Sequence, residues 1–173
     1  STHMGNNTSH SGDFSLSGSF RPGTAYSNSI GTYVFSDNLN MTTNARPYID
    51  LGSAIEHDVI SVAGTARLSG SLAVTLINDY VPEVGTGFTI LEAGVIEGEF
   101  NSVTFPEIEG INFIISYTNT SVVISVVNIE TFTYTGEGWW YDSENWSPRQ
   151  PSYTLSAEDT IIVSEGSELT RSE

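Results

Sequence analysis

Between His57 and Val127 apolar and polar residues alternate, and glycines cut the alternation into short pieces. Val59, Val62, Leu68, Leu72, Val74 and Leu76 carry the apolar side of the pattern. A period of two puts successive side chains on opposite faces of extended backbone, so each piece is a strand with one buried face. Gly64, Gly70, Gly85, Gly87, Gly94, Gly98 and Gly110 interrupt it. A strand interior seldom tolerates glycine, whereas a tight turn often needs one. The stretch therefore predicts short strands joined by short turns, with no helix.

The same pattern extends upstream. Phe14, Leu16 and Phe20 mark a first strand, and Arg21-Pro22-Gly23 marks a turn. Gly31 opens a run with Tyr33 and Phe35 on one face, followed by Leu39 and Met41. Residues 44–47 turn again before Tyr48, Ile49 and Leu51. The segments recur at intervals of roughly 15–20 residues, which suits β-helix coils that bury their inward side chains on one another. A β-sandwich fits residues 13–57 as well, because periodicity alone does not separate the two. Stacked coils also leave an open edge at each end that must be covered. Residues 78–127 fit such a cap. A long turn over 78–87 contains Pro82, which cannot donate a ladder hydrogen bond. Strands are then expected at 88–91, 100–105, 111–117 and 122–127, the last two pairing antiparallel across residues 118–121.

The block D-x-I-x-V-x-G-x-A-x-L-x-G-x-L-x-V-x-L is carried by Asp58, Ile60, Val62, Gly64, Ala66, Leu68, Gly70, Leu72, Val74 and Leu76. A second block follows at Gly85, Phe88, Ile90, Leu91, Ala93, Gly94, Ile96, Gly98 and Phe100, and a third, IISYTNTSVVISVV, ends at Val127. Together they resemble the C-terminal part of bacterial autotransporter and adhesin-like passenger domains. The resemblance covers roughly residues 12–127 and is densest over 58–127. It implies right-handed parallel β-helix coils closed by an antiparallel cap that also helps the passenger fold.

Composition changes after Val127. Phe132, Tyr134, Trp139, Trp140, Tyr141, Trp146 and Tyr153 fall within 22 residues, and all three tryptophans are among them. The string WWYDSENWSPRQPS, followed by AEDTIIV, resembles the opening of another passenger repeat, through Trp140, Asp142, Asn145, Trp146, Ser147, Pro151 and Asp159. The expected division is a tag remnant and disordered tail over 1–12, a β-helix end with its antiparallel cap over 13–127, and the Trp-rich start of a following β unit over 128–173.

Charge narrows the partners. The chain has no lysine, five arginines and 21 acids, a net charge of −16. Sixteen of those acids lie beyond residue 77. Such a field gives nucleic acid or an anionic membrane surface nothing to bind. Solubility in a salty medium explains the excess more simply than cation binding does. With no cysteine there is no disulfide, thiol catalysis or zinc–thiolate site. No apolar run approaches the ~20 residues of a membrane helix, so membrane insertion of this stretch is not expected.

Three constellations carry candidate chemistry. Trp139, Trp140, Tyr141, Asp142 and Trp146 could stack on a sugar ring and bond its hydroxyls. The competing account, which the resemblance favours, has Trp140 and Trp146 plugging the first coil of the next unit. Glu97 with Glu99, and Glu107 with Glu109, would share a strand face if extended. They read first as solvated loop edges and second as weak Ca2+ sites, so no cofactor is expected beyond such weak Ca2+ binding. Glu56-His57-Asp58 reads as polar residues at a turn rather than a proton-transfer site, because no matched nucleophile or motif accompanies it.

The expected protein is thus a non-catalytic structural or adhesive module, extracellular or at a bacterial cell surface. It would cap and join β-helical segments of a large chain. Its partners would be neighbouring domains of that chain, and glycans or a host surface. A carbohydrate-binding module using the Trp139–Trp146 cluster is the alternative. A fragment of a β-helical polysaccharide-degrading enzyme comes third, since so few basic residues are present to meet a sugar acid.

Overall fold

The structure, a computed structural model, describes residues 9–23 and 29–128 and, beyond them, the backbone of five short strands between 131 and 170. The chain divides into a first unit, Ser1–Glu109 with Phe113–Val127, and a second, Gly110–Asn112 with Asn128–Glu173. All regular structure among the described residues is strand.

Ten strands make the first sheet system. They are β1 (Ser9–His10), β2 (Phe14–Phe20), β3 (Thr32–Phe35), β4 (Leu39–Leu51), β5 (Val59–Arg67), β6 (Ser71–Leu76), β7 (Gly87–Glu97), β8 (Ser102–Thr104), β9 (Ile111–Tyr117) and β10 (Ser121–Asn128). The first eight stack in parallel as three ladders. Ladder one joins β1, β3, the first half of β5 and part of β7. Ladder two joins the start of β2, the start of β4, the end of β5 and the end of β7. Ladder three joins the end of β2, the end of β4, β6 and β8. The result is a β-solenoid of about three turns. The choice left open between helix coils and sandwich for residues 13–57 is settled in favour of coils.

The coil length differs from expectation. Along ladder two Leu39 lies 25 residues after Phe14, Ala66 lies 27 after Leu39, and Ile96 lies 30 after Ala66. The shorter sequence interval counted separate strands of one coil, because each coil bends between ladders at a corner as well as at its long loop.

Inward positions follow the alternation. Leu16, Phe20, Phe35, Leu39, Ala45, Ile49, Leu51, Ile60, Val62, Ala66 and Leu72 are almost wholly buried. At the first coil the filling is aromatic: the Phe20, Tyr33 and Phe35 rings lie 4.8–5.9 Å apart between centroids, and Phe14 adds a ring 5.4 Å from Phe35. Large rings fill a coil end that has fewer neighbours above it. Leu72 and Val74 point inward as their parity predicts, but Leu76 is only half-buried. The chain leaves the ladder there, and Ile77, one residue on, takes the buried place and donates its N–H to the Leu51 carbonyl at 3.0 Å.

Corners are fixed by short polar side chains. Asn38 donates its backbone N–H and side-chain amide to Asp13 Oδ1 at 3.2 and 2.9 Å, and its own Oδ1 accepts the Thr65 N–H at 2.8 Å. Asp13, Asn38 and Thr65 thus occupy the same corner in successive coils. At the next corner Asn101 Oδ1 accepts the Gly70 N–H at 2.6 Å and the Ser69 hydroxyl at 2.9 Å.

The cap is smaller than the pattern suggested. Residues 87–97 and 102–104 belong to the last coil, not to the cap, since β7 and β8 pair parallel with β5 and β6. Only β9 and β10 depart from the coil. β10 pairs antiparallel with β7, Val122 opposite Leu91, and β9 lies on its far side. Val122, Ile124 and Val126 are buried on one face of β10. The hairpin turn reaches farther, the Thr120 and Asn119 carbonyls accepting the N–H groups of Ala93 and Ile96 at 2.9 and 2.8 Å. At the other end Ser9 and His10, read as tail, form β1 against β3.

The second unit contains β11 (Thr131–Tyr134), β12 (Glu137–Trp139), β13 (Trp146–Ser147), β14 (Thr160–Val163) and β15 (Glu168–Thr170). β11 pairs parallel with β14, Thr131 opposite Thr160, and β12 pairs parallel with β15, Glu137 opposite Glu168. Those separations, 29 and 31 residues, match the coil lengths of the first unit.

Candidate functional site

The buried carboxylates among the described residues, Asp50 and Asp58, lie where ladder three gives way to the loops that lead back to ladder one. Asp50 sits between Ile49 and Leu51, which are buried, so strand parity turns its side chain to the outer surface. There Arg21 covers it. One guanidinium nitrogen lies 3.0 and 3.1 Å from the two Asp50 oxygens, and the guanidinium carbon lies 4.4 Å above the Tyr48 ring. Arg21 follows directly on the last residue of β2, so the pair ties the first coil to the second.

Asp58 closes the same junction from the loop after β4. Its Oδ1 accepts the Gly31 N–H at 2.8 Å and its Oδ2 the Asp50 N–H at 2.9 Å, while its own N–H donates to the Asp50 carbonyl at 2.9 Å. The side chain is shut off from solvent. Burial pushes its carboxyl up to about 7, against the lowering effect of the two backbone donors; the Asp50 charge adds to the rise and Arg21 subtracts from it.

His57 faces the next coil. Its Nε2 lies 3.1 Å from the Thr89 carbonyl, which can only accept, so Nε2 carries the hydrogen. Nδ1 is buried without a partner, and the ring meets Phe88 edge-on at 5.5 Å. The Glu56-His57-Asp58 triplet is therefore three separate environments: exposed, half-buried against Phe88, and enclosed. Arg21, Asp50 and Asp58 escaped the sequence reading as a site. Their available signal was an aspartate between two inward apolar residues, with an arginine at the preceding coil's exit.

The sequence-predicted carboxylates are placed apart. Glu97 ends β7 and meets the Arg67 guanidinium Nε at 2.8 Å across the ladder, both side chains about half exposed. Glu99 lies beyond Gly98, whose φ of +77° turns the chain, so the two do not share a strand face. Glu107 and Glu109 are exposed between β8 and β9. Among the described residues, no three histidines, aspartates or glutamates gather as a metal-binding group. Of the aromatic candidates, Trp139 ends β12 and Trp146 opens β13, opposite Tyr134. Trp140, Tyr141 and Asp142 lie outside the described residues.

Fold and junction together define an all-β protein of the parallel β-solenoid class, with an antiparallel hairpin against its last coil. No protein-family model matches the chain, and no curated protein matches it.

Proposed function

We propose that this is a non-catalytic structural module of a large bacterial surface or secreted protein, one that ends a β-solenoid segment and joins it to the next. The observation that supports this most directly is the hairpin. β10 takes up the edge of β7, and the turn at 118–120 supplies carbonyls to the last coil. A solenoid edge left open is a template for pairing with another chain, so a strand laid against it keeps the molecule single. The parallel pairs of the second unit, at coil-length spacing, support reading residues 128–173 as the start of a following solenoid segment. The resemblance to passenger domains supports a cell-surface or extracellular setting, with neighbouring domains of the same chain, and glycans or a host surface, as partners.

The test is to undock the hairpin. Ile124→Asp puts a charge at a position with no exposure in the wild type. The variant should become cleavable at residues 118–120 and should form oligomers that grow with concentration, read by light scattering. A variant that is cleaved there yet stays monomeric would show that the hairpin does not serve as a cap.

A further inference from the structure

We propose that Arg21, Asp50 and Asp58 form a proton-linked clasp between the first two coils, so that the solenoid takes up a proton as it folds near neutral pH and holds these coils more tightly in weak acid than in weak alkali. The inference does not depend on the proposed role of the molecule. It rests on a mismatch of charges in an enclosed place. Two carboxylates meet one guanidinium, and that guanidinium is committed to Asp50 through both carboxylate oxygens. Asp58 instead accepts the N–H groups of Gly31 and Asp50, and no cation is paired with it among the described residues. Two amide dipoles reduce the cost of a buried anion but do not cancel its charge.

Among the described residues the surroundings offer no second cation. From ladder three and the loop before it, the charged groups acting on Asp58 are Asp50 and Arg21. From its own loop, Glu56 is exposed and His57 turns to Thr89 and Phe88 in the following coil. Removal from water thus dominates, and the carboxyl rises from 3.8 to about 7. The sign follows. A carboxyl whose folded value exceeds its unfolded value adds stability that is whole below pH 3.8 and is lost as pH rises through about 7.

Because Asp58 binds both coils by their backbones, this loss falls on one joint rather than on the whole solenoid. The first coil, with its aromatic filling, is the part the joint retains. Weak alkali should therefore loosen residues around Gly31 and Asp50 before it affects the hairpin end.

Two measurements on the whole chain test this. The carbon-13 signal of the Asp58 carboxyl should titrate with a midpoint near 7, and a midpoint below about 5 would overturn the proposal. Urea unfolding should be followed from about pH 5 to about pH 8.5, the linked proton changing the folding constant by up to about tenfold per pH unit below about 7 and by little above it. Wild type should lose stability across that range more steeply than Asp58→Asn, the remaining acids contributing equally to both. Equal slopes would overturn it. Should Asp58→Asn fail to fold, the carboxyl titration of the wild type decides alone.

Discussion

Leu72 is 1% exposed and stands in β6 opposite Val103 of the last coil, so truncating it leaves a hole that stacked strands cannot close by moving singly. Leu72→Ala should cost about 2–5 kcal/mol in a urea melt. Leu76→Ala should cost clearly less, because the chain has already begun to leave the ladder there and the side chain is half-buried. An equal cost for the two would mean that inward parity continues to the end of β6. Gly70 makes the same argument for the backbone. Its φ is +81°, and a Cβ there would collide with the Ala45 carbonyl oxygen of the coil before. Strain and collision together should make Gly70→Ala one of the most damaging single changes in the unit, by more than about 2 kcal/mol.

At the scale of elements, coils are held in register by corners as much as by ladders. Asn101 satisfies an N–H and a hydroxyl of the preceding coil with one oxygen. Asn101→Ala leaves the Gly70 N–H without that acceptor and should cost about 1–3 kcal/mol. Asn101→Asp keeps an acceptor in place and should recover most of the loss, whereas Asn101→Leu, of similar size but with no acceptor, should not. The exposed Arg67–Glu97 pair is a contrast. It also links two coils, yet water screens both groups, so Glu97→Gln should shift stability by no more than about 1 kcal/mol.

For the whole molecule the dominant quantity is charge. With a net charge of −16, self-repulsion weakens the folded state and salt of any kind relieves it. Calcium at about millimolar level should then raise the melting temperature no more than sodium chloride of equal ionic strength. A rise specific to calcium would return Glu99, Glu107 and Glu109 to consideration as ligands. The structural and carbohydrate-binding readings part at Trp140. If it plugs the following segment, Trp140→Ala should lower stability by about 3–5 kcal/mol and show no glycan defect apart from unfolding. Loss of glycan binding on an array, in a variant that melts like wild type, would favour the sugar-binding reading instead.

The alternation of residues 57–127 by itself indicated a β structure without helix, the places of most strands and, Val59 and Leu76 apart, which of their apolar side chains face inward. Val62, Leu68, Leu72 and Val74 needed nothing more, because period two is a property of extended backbone wherever it is placed. Coil length, the small extent of the cap and the clasp were decided only in three dimensions. β7 looks like a cap strand in sequence and is a coil strand in fact, since parallel and antiparallel partners demand the same alternation. Asp50 and Asp58 read as ordinary polar residues at a strand end and a turn. Their burial comes from Arg21, 29 residues before Asp50, and from Gly31, 27 before Asp58, brought alongside by one turn of the solenoid. No local pattern encodes that meeting, because it depends on the coil length that stacking itself selects.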